Sequence, residues 1–451
     1  MKQGALVFAD ISGYTQFSRM HVTSLLHAEA IISELLEAVV RAAEFPLKVC
    51  QLEGDAVLLV AETPPGKETE AARDVAWQIQ RLFVAFNRHA RALITCDAGC
   101  VCDACRSIGQ LKLKAVVHFG EFTLLKVGAL EELAGEAIRF IRALIKTPIP
   151  EREYILLTPH FYQLSGGLPF YKPERTLELD GGAHAQVYFP SSHTPLEDLP
   201  PHAGRAFAAR LNRHSFARMF GRKARATYNS LENGQTPLIP YLLEGILSGI
   251  NVLRKVLWGN PAPIQVQPSV VVLVELYTSL SDLDRLRADL LNGLLGDPAP
   301  LTLNKLGNGT ALFYTVVNEE NGLVEREVLH RLKAFYQTFR VQTDTLANDP
   351  RSPIAKRGST SLTFRAVAHF GPVAFKRILD FDEIAGETVI LAHRLLKNSV
   401  STPEYLLFTE TLSERLSGDA LSNAERQVET TGDMGDVPVR VVDLREISVS
   451  S

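Results

Sequence analysis

The sequence contains little cysteine, with five such residues in 451. So few thiols in so long a chain exclude the dense disulfide framework of small secreted domains. The first residues also lack the long apolar stretch of a secretory signal, so we expect a cytoplasmic location. The net charge of −4 gives no general reason to expect a nucleic acid as a partner.

One segment, 238–258, is apolar enough to suggest a membrane. It contains Glu244, Arg254 and Lys255, and Pro240 interrupts it. These residues suit an amphipathic helix packed on protein better than a helix that crosses a bilayer. We therefore expect no transmembrane segment.

The chain contains an internal repeat. His118 and His369 are 251 residues apart, and so are Gly135 and Gly386. Chance similarity does not keep one spacing over many positions, and 451 residues exceed what a single core normally supports. The predicted divisions are two domains of like topology, at 1–190 and 266–446, and a helical connector at 191–265.

The connector is basic, with seven Arg and Lys residues between positions 205 and 225. Their spacing spreads them over a broad helical face. One interpretation is the solvated face of a connecting helix, and the other is a surface for acidic lipid or nucleic acid phosphate.

Each half has the same pattern of elements. A β-branched run such as ALVFAD is followed by a long helical stretch, and two more runs are joined by a Gly-Asp or Gly-Asn turn. A second helix, strands around His-Phe-Gly and a helix opening at Ala-Gly-Glu complete the pattern. This β-α-β-β-α-β order predicts an α+β fold, with a ferredoxin-like sandwich in each half and its helices on one face.

Two motifs in the first half contain aspartates that could bind a metal ion. Asp10 ends a predicted strand, and Asp55 lies in a tight turn between two others. Two carboxylates beside a Ser-Gly turn are what a magnesium–triphosphate site requires. The residues predicted to contact the nucleotide at this strand end are Ile11, Ser12, Gly13, Tyr14 and Thr15.

These motifs resemble the class III adenylyl and guanylyl cyclases. The matching segments are ADISGYTQF, LEGDAVLLV, LKLKAVVHFGEF and AGETVILAHRLLKN. Within that family they resemble a bacterial subgroup described only as a domain of unknown function (DUF2652-like), present here in tandem copies. The resemblance implies that the two domains pair within the chain as a pseudo-heterodimer, with each composite site built from both domains.

The resemblance also implies roles for particular residues. Asp10 and Asp55 would hold two Mg or Mn ions, and Arg394 of the second domain would stabilise the transferring phosphate. In the second half the two aspartate positions read as Glu275 and Asn308, so that half is expected to lack the metals. Ala143 replaces the arginine in the first half, so one composite site is retained and its mirror is degenerate.

The retained site departs from the family pattern at two places. Ile390 stands where the family has a ribose-binding asparagine, with His393 and Asn398 as candidate substitutes. At the positions that select the base, the second half has Asn304 and Glu383, which do not match the adenine pattern. The base of the nucleoside triphosphate partner therefore stays open.

The leading hypothesis is a nucleotidyl cyclase, a phosphorus–oxygen lyase that makes a 3′,5′-cyclic nucleotide and pyrophosphate. The resemblance implies in-line attack of the ribose 3′-hydroxyl on the α-phosphate. The alternative is a catalytically inactive pseudo-cyclase that binds nucleotide or metal as a signalling module. The Ile390 substitution favours the alternative, whereas Asp10, Asp55 and Arg394 favour the enzyme.

A cysteine cluster and two repeated histidines complete the candidates. A structural zinc is predicted for four cysteines, an iron–sulfur cluster and free or redox-active thiols being the alternatives. The four are Cys96, Cys100, Cys102 and Cys105. His118 and His369 occur in both halves, only one of which keeps the metal carboxylates, so we expect them to make structural hydrogen bonds.

Overall fold

The structure is a computed structural model. It describes residues 1–20, 25–96, 103–128, 130–169, 171–179, 182–190, 264–278, 283–307, 309–318, 323–357, 362–416, 423–432 and 434–446. All but the last two residues of the predicted connector, including the apolar segment 238–258, lie outside these ranges. In the part that is described, no helix is long and apolar enough to span a membrane.

The described strands of the first half form one sheet. They are β1 (Lys2–Ser12), β2 (Lys48–Glu53), β3 (Ala56–Glu62), β4 (Lys112–Val127), β5 (Leu130–Ala134), β6 (Tyr154–Leu157), β7 (Arg175–Glu178) and β8 (His184–Tyr188). Their order is β2-β3-β1-β4-β6-β8-β7, with β5 paired to β4. The helices are α1 (Tyr14–Met20), α2 (Leu25–Ala42), α3 (Glu68–Cys96), α4 (Asp103–Ser107), α5 (Glu136–Leu144) and α6 (Pro159–Ser165).

The second half repeats this topology. Its strands are β9 (Gln265–Tyr277), β10 (Thr302–Gly307), β11 (Thr310–Val316), β12 (Thr363–Ile378), β13 (Phe381–Ala385), β14 (Tyr405–Thr409), β15 (Glu425–Thr431) and β16 (Gly435–Asp443). Its helices are α7 (Asp284–Leu294), α8 (Leu323–Ala347), α9 (Pro353–Arg357), α10 (Glu387–Leu395) and α11 (Glu410–Ser413). The strand order is β10-β11-β9-β12-β14-β16-β15, with β13 paired to β12. The α+β class and the two-domain arrangement are confirmed.

The central strands are buried on both faces. Val7 and Ala9 of β1 belong to a core formed with α2 and α3, whereas the alternate residues Leu6 and Phe8 belong to a core formed with α5. The long helices therefore share one face, but the expectation that all helices do so is wrong for α5. The strands β7 and β8 extend the sheet beyond the predicted pattern.

A β-hairpin from each half packs against the core of the other half. Leu125 and Val127 of β4 pack into the core of the second domain, and Ile378 and Phe381 of the β12–β13 hairpin pack into the core of the first. Each hairpin continues a strand of its own sheet and buries apolar side chains in the opposite core, so it joins the two cores. This reciprocal packing is the pseudo-heterodimer within the chain.

Candidate functional site

The two aspartates of the first half lie side by side. Asp10 pairs with Ala56 across β1 and β3, and the backbone N–H of Ile11 donates to the carbonyl oxygen of Asp55 over 3.0 Å. The carboxyl groups of Asp10 and Asp55 share a hydrogen bond. Burial and the nearby Asp10 charge raise the pKa of Asp55 well above its usual range, because two adjacent carboxylates resist ionising together.

A lysine that the sequence analysis missed completes this group. Lys114 lies opposite Asp10 in the pairing of β1 with β4, and its Nζ is 2.8 Å from Asp10 Oδ2. Its charge works against the rise in the pKa of Asp55. Without a bound cation, Lys114 therefore offsets the negative charge at this strand end. The available signal was the position of Lys114 four residues before His118, on the strand predicted beside His-Phe-Gly.

The aspartates face a cleft of about 800 Å³ between the two domains. Its lining residues are Asp10, Ile11, Ser12, Gly13, Tyr14, Thr15, Gln16, Asp55 and Lys114 of the first domain, and Glu387 and Arg394 of the second. The structure thus brings Asp10, Asp55 and Arg394 to one cleft, together with the predicted Ser12–Gly13 turn. Gly13 has a φ of +94°, a left-handed conformation that favours glycine, where β1 turns into α1.

A close approach of helix to strand sets the position of Arg394. It lies in the last turn of α10, which begins after Gly386. A Cβ on Gly371 of β12 would fall 2.5 Å from Thr388 Oγ1, so the helix approaches the strand at a distance that only glycine permits. The His-Phe-Gly motif therefore positions the arginine helix.

Ile390, on α10, has no part in polar recognition. Its side chain packs against the hydrophobic core of the first domain. Of the two candidate substitutes, Asn398 is already engaged, since it donates to Leu395 O over 2.7 Å and to Tyr405 Oη over 2.6 Å. His393 precedes Arg394 on α10 and is not among the residues that line the cleft. Loss of solvent around the ring lowers the pKa of His393 to about 4, and the charge of Lys305 adds to this effect.

The strand register corrects two positional assignments. Glu275 pairs with Thr310 as Asp10 pairs with Ala56, and the N–H of Leu276 donates to Gly309 O over 3.1 Å. Gly309, not Asn308, therefore occupies the place of Asp55, and Asn308 itself lies outside the described residues. The second half has no carboxylate at that place.

The same register moves the base-selecting position by one residue. Gln51 pairs with Leu58 in the first half, and the equivalent pair in the second is Lys305 with Leu312. Asn304 is thus wrong for this position, and its amide donates instead to Asp382 O over 3.1 Å. Lys305 forms an ion pair with Glu383, and its Nζ also donates to Leu52 O of the first domain over 3.2 Å.

Ion pairs fill the mirror site. Arg287 is 2.9 Å from Asp284, and Arg139 reaches the same carboxylate from the first domain. A Cβ on Gly309 would lie 2.3 Å from Arg287 Nε, so the guanidinium occupies the space above the turn. Burial raises the pKa of Glu275, while Arg365 and Arg287 oppose that rise. The charges of the mirror site are matched within the protein.

The repeated histidines and the cysteine cluster are the remaining candidates. The N–δ1 atoms of His118 and His369 hydrogen-bond Thr158 at 3.0 Å and Thr409 at 2.8 Å, which confirms their structural role. Cys100 and Cys102 lie outside the described residues, as do the side chains of Cys96 and Cys105. Among the side chains that are described, no group of three or more His, Cys, Asp or Glu could hold a metal ion.

The fold is shared with a solved structure. A class III adenylyl cyclase-like ATP-binding protein from Pseudomonas aeruginosa superposes with a TM-score of 0.57, covering 96% of this chain and 88% of that one. The two sequences are 11% identical, so the similarity shows the shared fold alone.

The chain belongs to the family described as protein of unknown function (DUF2652), whose model matches residues 32–154 and 287–405. This confirms the resemblance and its tandem character. A curated relative, Uncharacterized protein Rv2561/Rv2562 of Mycobacterium tuberculosis, is 33% identical over 127 residues. That match spans 28% of this chain and 57% of the relative.

Proposed function

We propose that the chain binds a nucleoside triphosphate and a divalent metal in the cleft between its domains, and converts the nucleotide to a 3′,5′-cyclic nucleotide and pyrophosphate. The observation that carries this proposal is the convergence of Asp10 and Asp55 from one domain with Arg394 from the other. A bound triphosphate needs two sources of positive charge. One is a metal held by carboxylates, and the other is a guanidinium that contacts the phosphoryl oxygens.

The donor set fits hard cations such as Mg or Mn. Asp10 and Asp55 supply carboxylate oxygens, and Ile11 would add its backbone carbonyl. When bound, the metals lower the pKa of the ribose 3′-hydroxyl and offset the charge of the triphosphate. The chain must then give up the proton shared by the two aspartates and the contact between Lys114 and Asp10. Arg394 would stabilise charge on the α-phosphate as the bond to pyrophosphate breaks.

ATP is the proposed nucleotide. Members of the cyclase family that use ATP have a lysine and an aspartate at the base-selecting positions, and here these positions hold Lys305 and Glu383. An ammonium group can donate to adenine N1, and a carboxylate can accept from its amino group. The description of the Pseudomonas structure as an ATP-binding protein supports the same base.

One observation favours a second function. Ile390 packs into the first domain where the cyclase family has a ribose-binding asparagine, so ribose positioning there has lost a polar group. A pseudo-cyclase that binds ATP without turnover would tolerate this change. His393, neutral at pH 7, is the proposed substitute if turnover occurs.

The test is a product assay on the full chain. The protein is incubated with ATP, GTP, CTP or UTP and either Mn or Mg, and cyclic products are resolved by mass spectrometry, with Asp55→Ala as the control. Cyclic AMP that disappears in the variant supports the cyclase. ATP binding by calorimetry without any product supports the pseudo-cyclase, and neither binding nor product contradicts both.

A further inference from the structure

A buried ion pair joins the two domains beside the cleft. Lys376 of β12 lies 2.8 Å from Glu29 of α2, and the two side chains are 1% and 0% exposed. The hydroxyl of Tyr14 donates to the other carboxylate oxygen of Glu29 over 2.9 Å. These three residues are here called the interdomain triad, and the proposed chemistry uses neither Glu29 nor Lys376.

The triad contacts each part of the cleft. Tyr14 directly follows the Ser12–Gly13 turn, and the backbone N–H of Gly386, where α10 begins, hydrogen-bonds its hydroxyl. Lys376 stands directly opposite Glu383 in the β12–β13 hairpin. The turn, the arginine helix and the base-selecting hairpin are therefore held by one set of buried contacts.

The mirror hairpin has no charged residue at the place of Lys376. Leu125 occupies the place of Lys376, since it pairs with Glu132 as Lys376 pairs with Glu383. Leu125 packs against the core of the second domain, and the interdomain hydrogen bond nearby joins Asn292 to Lys126 O at 3.0 Å. The hairpin there is held by this apolar contact and by Asn292, which also accepts from the N–H of Gly128 over 2.6 Å.

Stability alone gives a weak reason for a buried ion pair, because well-packed apolar residues usually serve as well. Its geometry, in contrast, is directional, since each polar atom needs its partner at one distance and angle. We propose that Tyr14, Glu29 and Lys376 are positioning residues that hold the turn, the arginine helix and the base hairpin in the arrangement that binds nucleotide. This inference rests on the proposed nucleotide site.

The test compares Tyr14→Phe and Lys376→Met with Asn292→Ala, all in the full chain. The ligand is dideoxy-ATP, which lacks the attacking 3′-hydroxyl, and Mn is present. The Kd of this ligand is measured by calorimetry. Misplacement by about 1 Å is enough to cost two orders of magnitude in a well-oriented site, so we expect Kd to rise about tenfold or more in both triad variants. The Asn292→Ala control, which breaks the mirror contact, should change Kd by less than about twofold.

Amide hydrogen exchange supplies a readout that needs no nucleotide. Amides in peptides covering 11–17 and 387–395 should exchange faster in the triad variants than in the wild-type chain. In Asn292→Ala their exchange rates should be unchanged. If the wild-type chain binds no nucleotide but exchange responds in this way, the proposed function fails, and the role of the triad is limited to ordering the turn and the arginine helix. If the wild-type chain binds, and neither Kd nor exchange changes in the triad variants, the positioning role is wrong. Tyr14→Phe keeps the ion pair, and because Tyr14 also lines the cleft, its exchange result rather than its Kd decides the question if Lys376→Met does not fold.

Discussion

The two composite sites of this molecule share a topology and differ in where their charges find partners. In the retained site Asp10 and Asp55 stand together at the edge of an open cleft, and burial beside Asp10 raises the pKa of Asp55. In the mirror site Asp284 lies between two arginines, and the space above Gly309 is filled. Both places are rich in charge, so the number of charged residues does not distinguish them.

What distinguishes them is how far the protein itself satisfies those charges, because Lys114 pairs with Asp10 in the retained site, whereas two arginines contact Asp284 in the mirror site. A carboxylate held next to another carboxylate is stabilised by an added cation, whereas one held between two guanidiniums gains nothing from it. A degenerate copy is therefore recognised by its completed ion pairs, and a retained copy by adjacent carboxylates that face a cleft.

The largest expected effect comes from the arginine of the retained site. Replacing Arg394 by alanine should lower the rate of cyclic nucleotide formation about 10³-fold, since a guanidinium at a transferring phosphate contributes that order of rate. Arg394 is exposed, so stability should change by less than about 0.5 kcal/mol. Initial rates and urea unfolding measure the two effects.

The matched control is Ala143→Arg, which returns an arginine to the mirror site. Because Gly309 leaves that site with no second carboxylate, the rate should stay unchanged. A gain of rate in Ala143→Arg, or an unchanged rate in Arg394→Ala, would contradict the assignment of a single retained site. For a chain without turnover, the Kd for ATP replaces the rate as the readout.

The second prediction concerns the mirror site and affects stability. Asp284→Asn removes the charge between Arg139 and Arg287 and leaves two guanidiniums close together. Breaking a buried pair in this way costs about 3–5 kcal/mol, which the midpoint of urea unfolding would report. Nucleotide affinity should not change by more than about twofold.

The control for this variant is Asp382→Asn. Asp382 pairs with Arg377 at the surface, the side chains being 77% and 55% exposed, and such pairs contribute little. A large loss of nucleotide affinity in Asp284→Asn at unchanged stability would show that the mirror network belongs to the ligand site.

The sequence predicted the repeat, the fold class and the residues that meet in the cleft, because strand ends and turns keep their spacing in both halves. It misplaced two positions by one residue. The error came from aligning Gly54 with Gly307, whereas in the strand pairing Gly307 lies opposite Thr310 as Glu53 lies opposite Ala56. Lys305 and Gly309 emerge only from the hydrogen-bonded register.

The other omissions were contacts between distant segments. The ion pair of Lys114 with Asp10 depends on which strand lies beside β1, and that of Lys376 with Glu29 joins residues 347 positions apart. Local patterns carry no information about such pairings. The exchange of hairpins between the domains was unpredictable for the same reason.

The smallest expected effect is one that the two halves should share. His118 and His369 lie at equivalent positions, and burial lowers the pKa of each to about 4. In the unfolded chain each histidine has a pKa near 6.5, so the unfolded state binds the extra proton. The stabilising contribution is therefore complete above about pH 6.5 and is lost as the pH falls toward 4.

Between pH 7 and pH 5, this linkage should cost about 2 kcal/mol per histidine. Unfolding free energies measured across that range in His118→Gln and His369→Gln should each show a shallower pH dependence than the wild-type chain, because glutamine can still hydrogen-bond the threonine but does not titrate. An equally shallow pH dependence of the unfolding free energy in the two variants would mean that the two halves differ at their clefts and not in their sheets. If only one variant responded, the difference between the halves would extend into the sheets, and the completed ion pairs of the mirror site could no longer be treated as a local change.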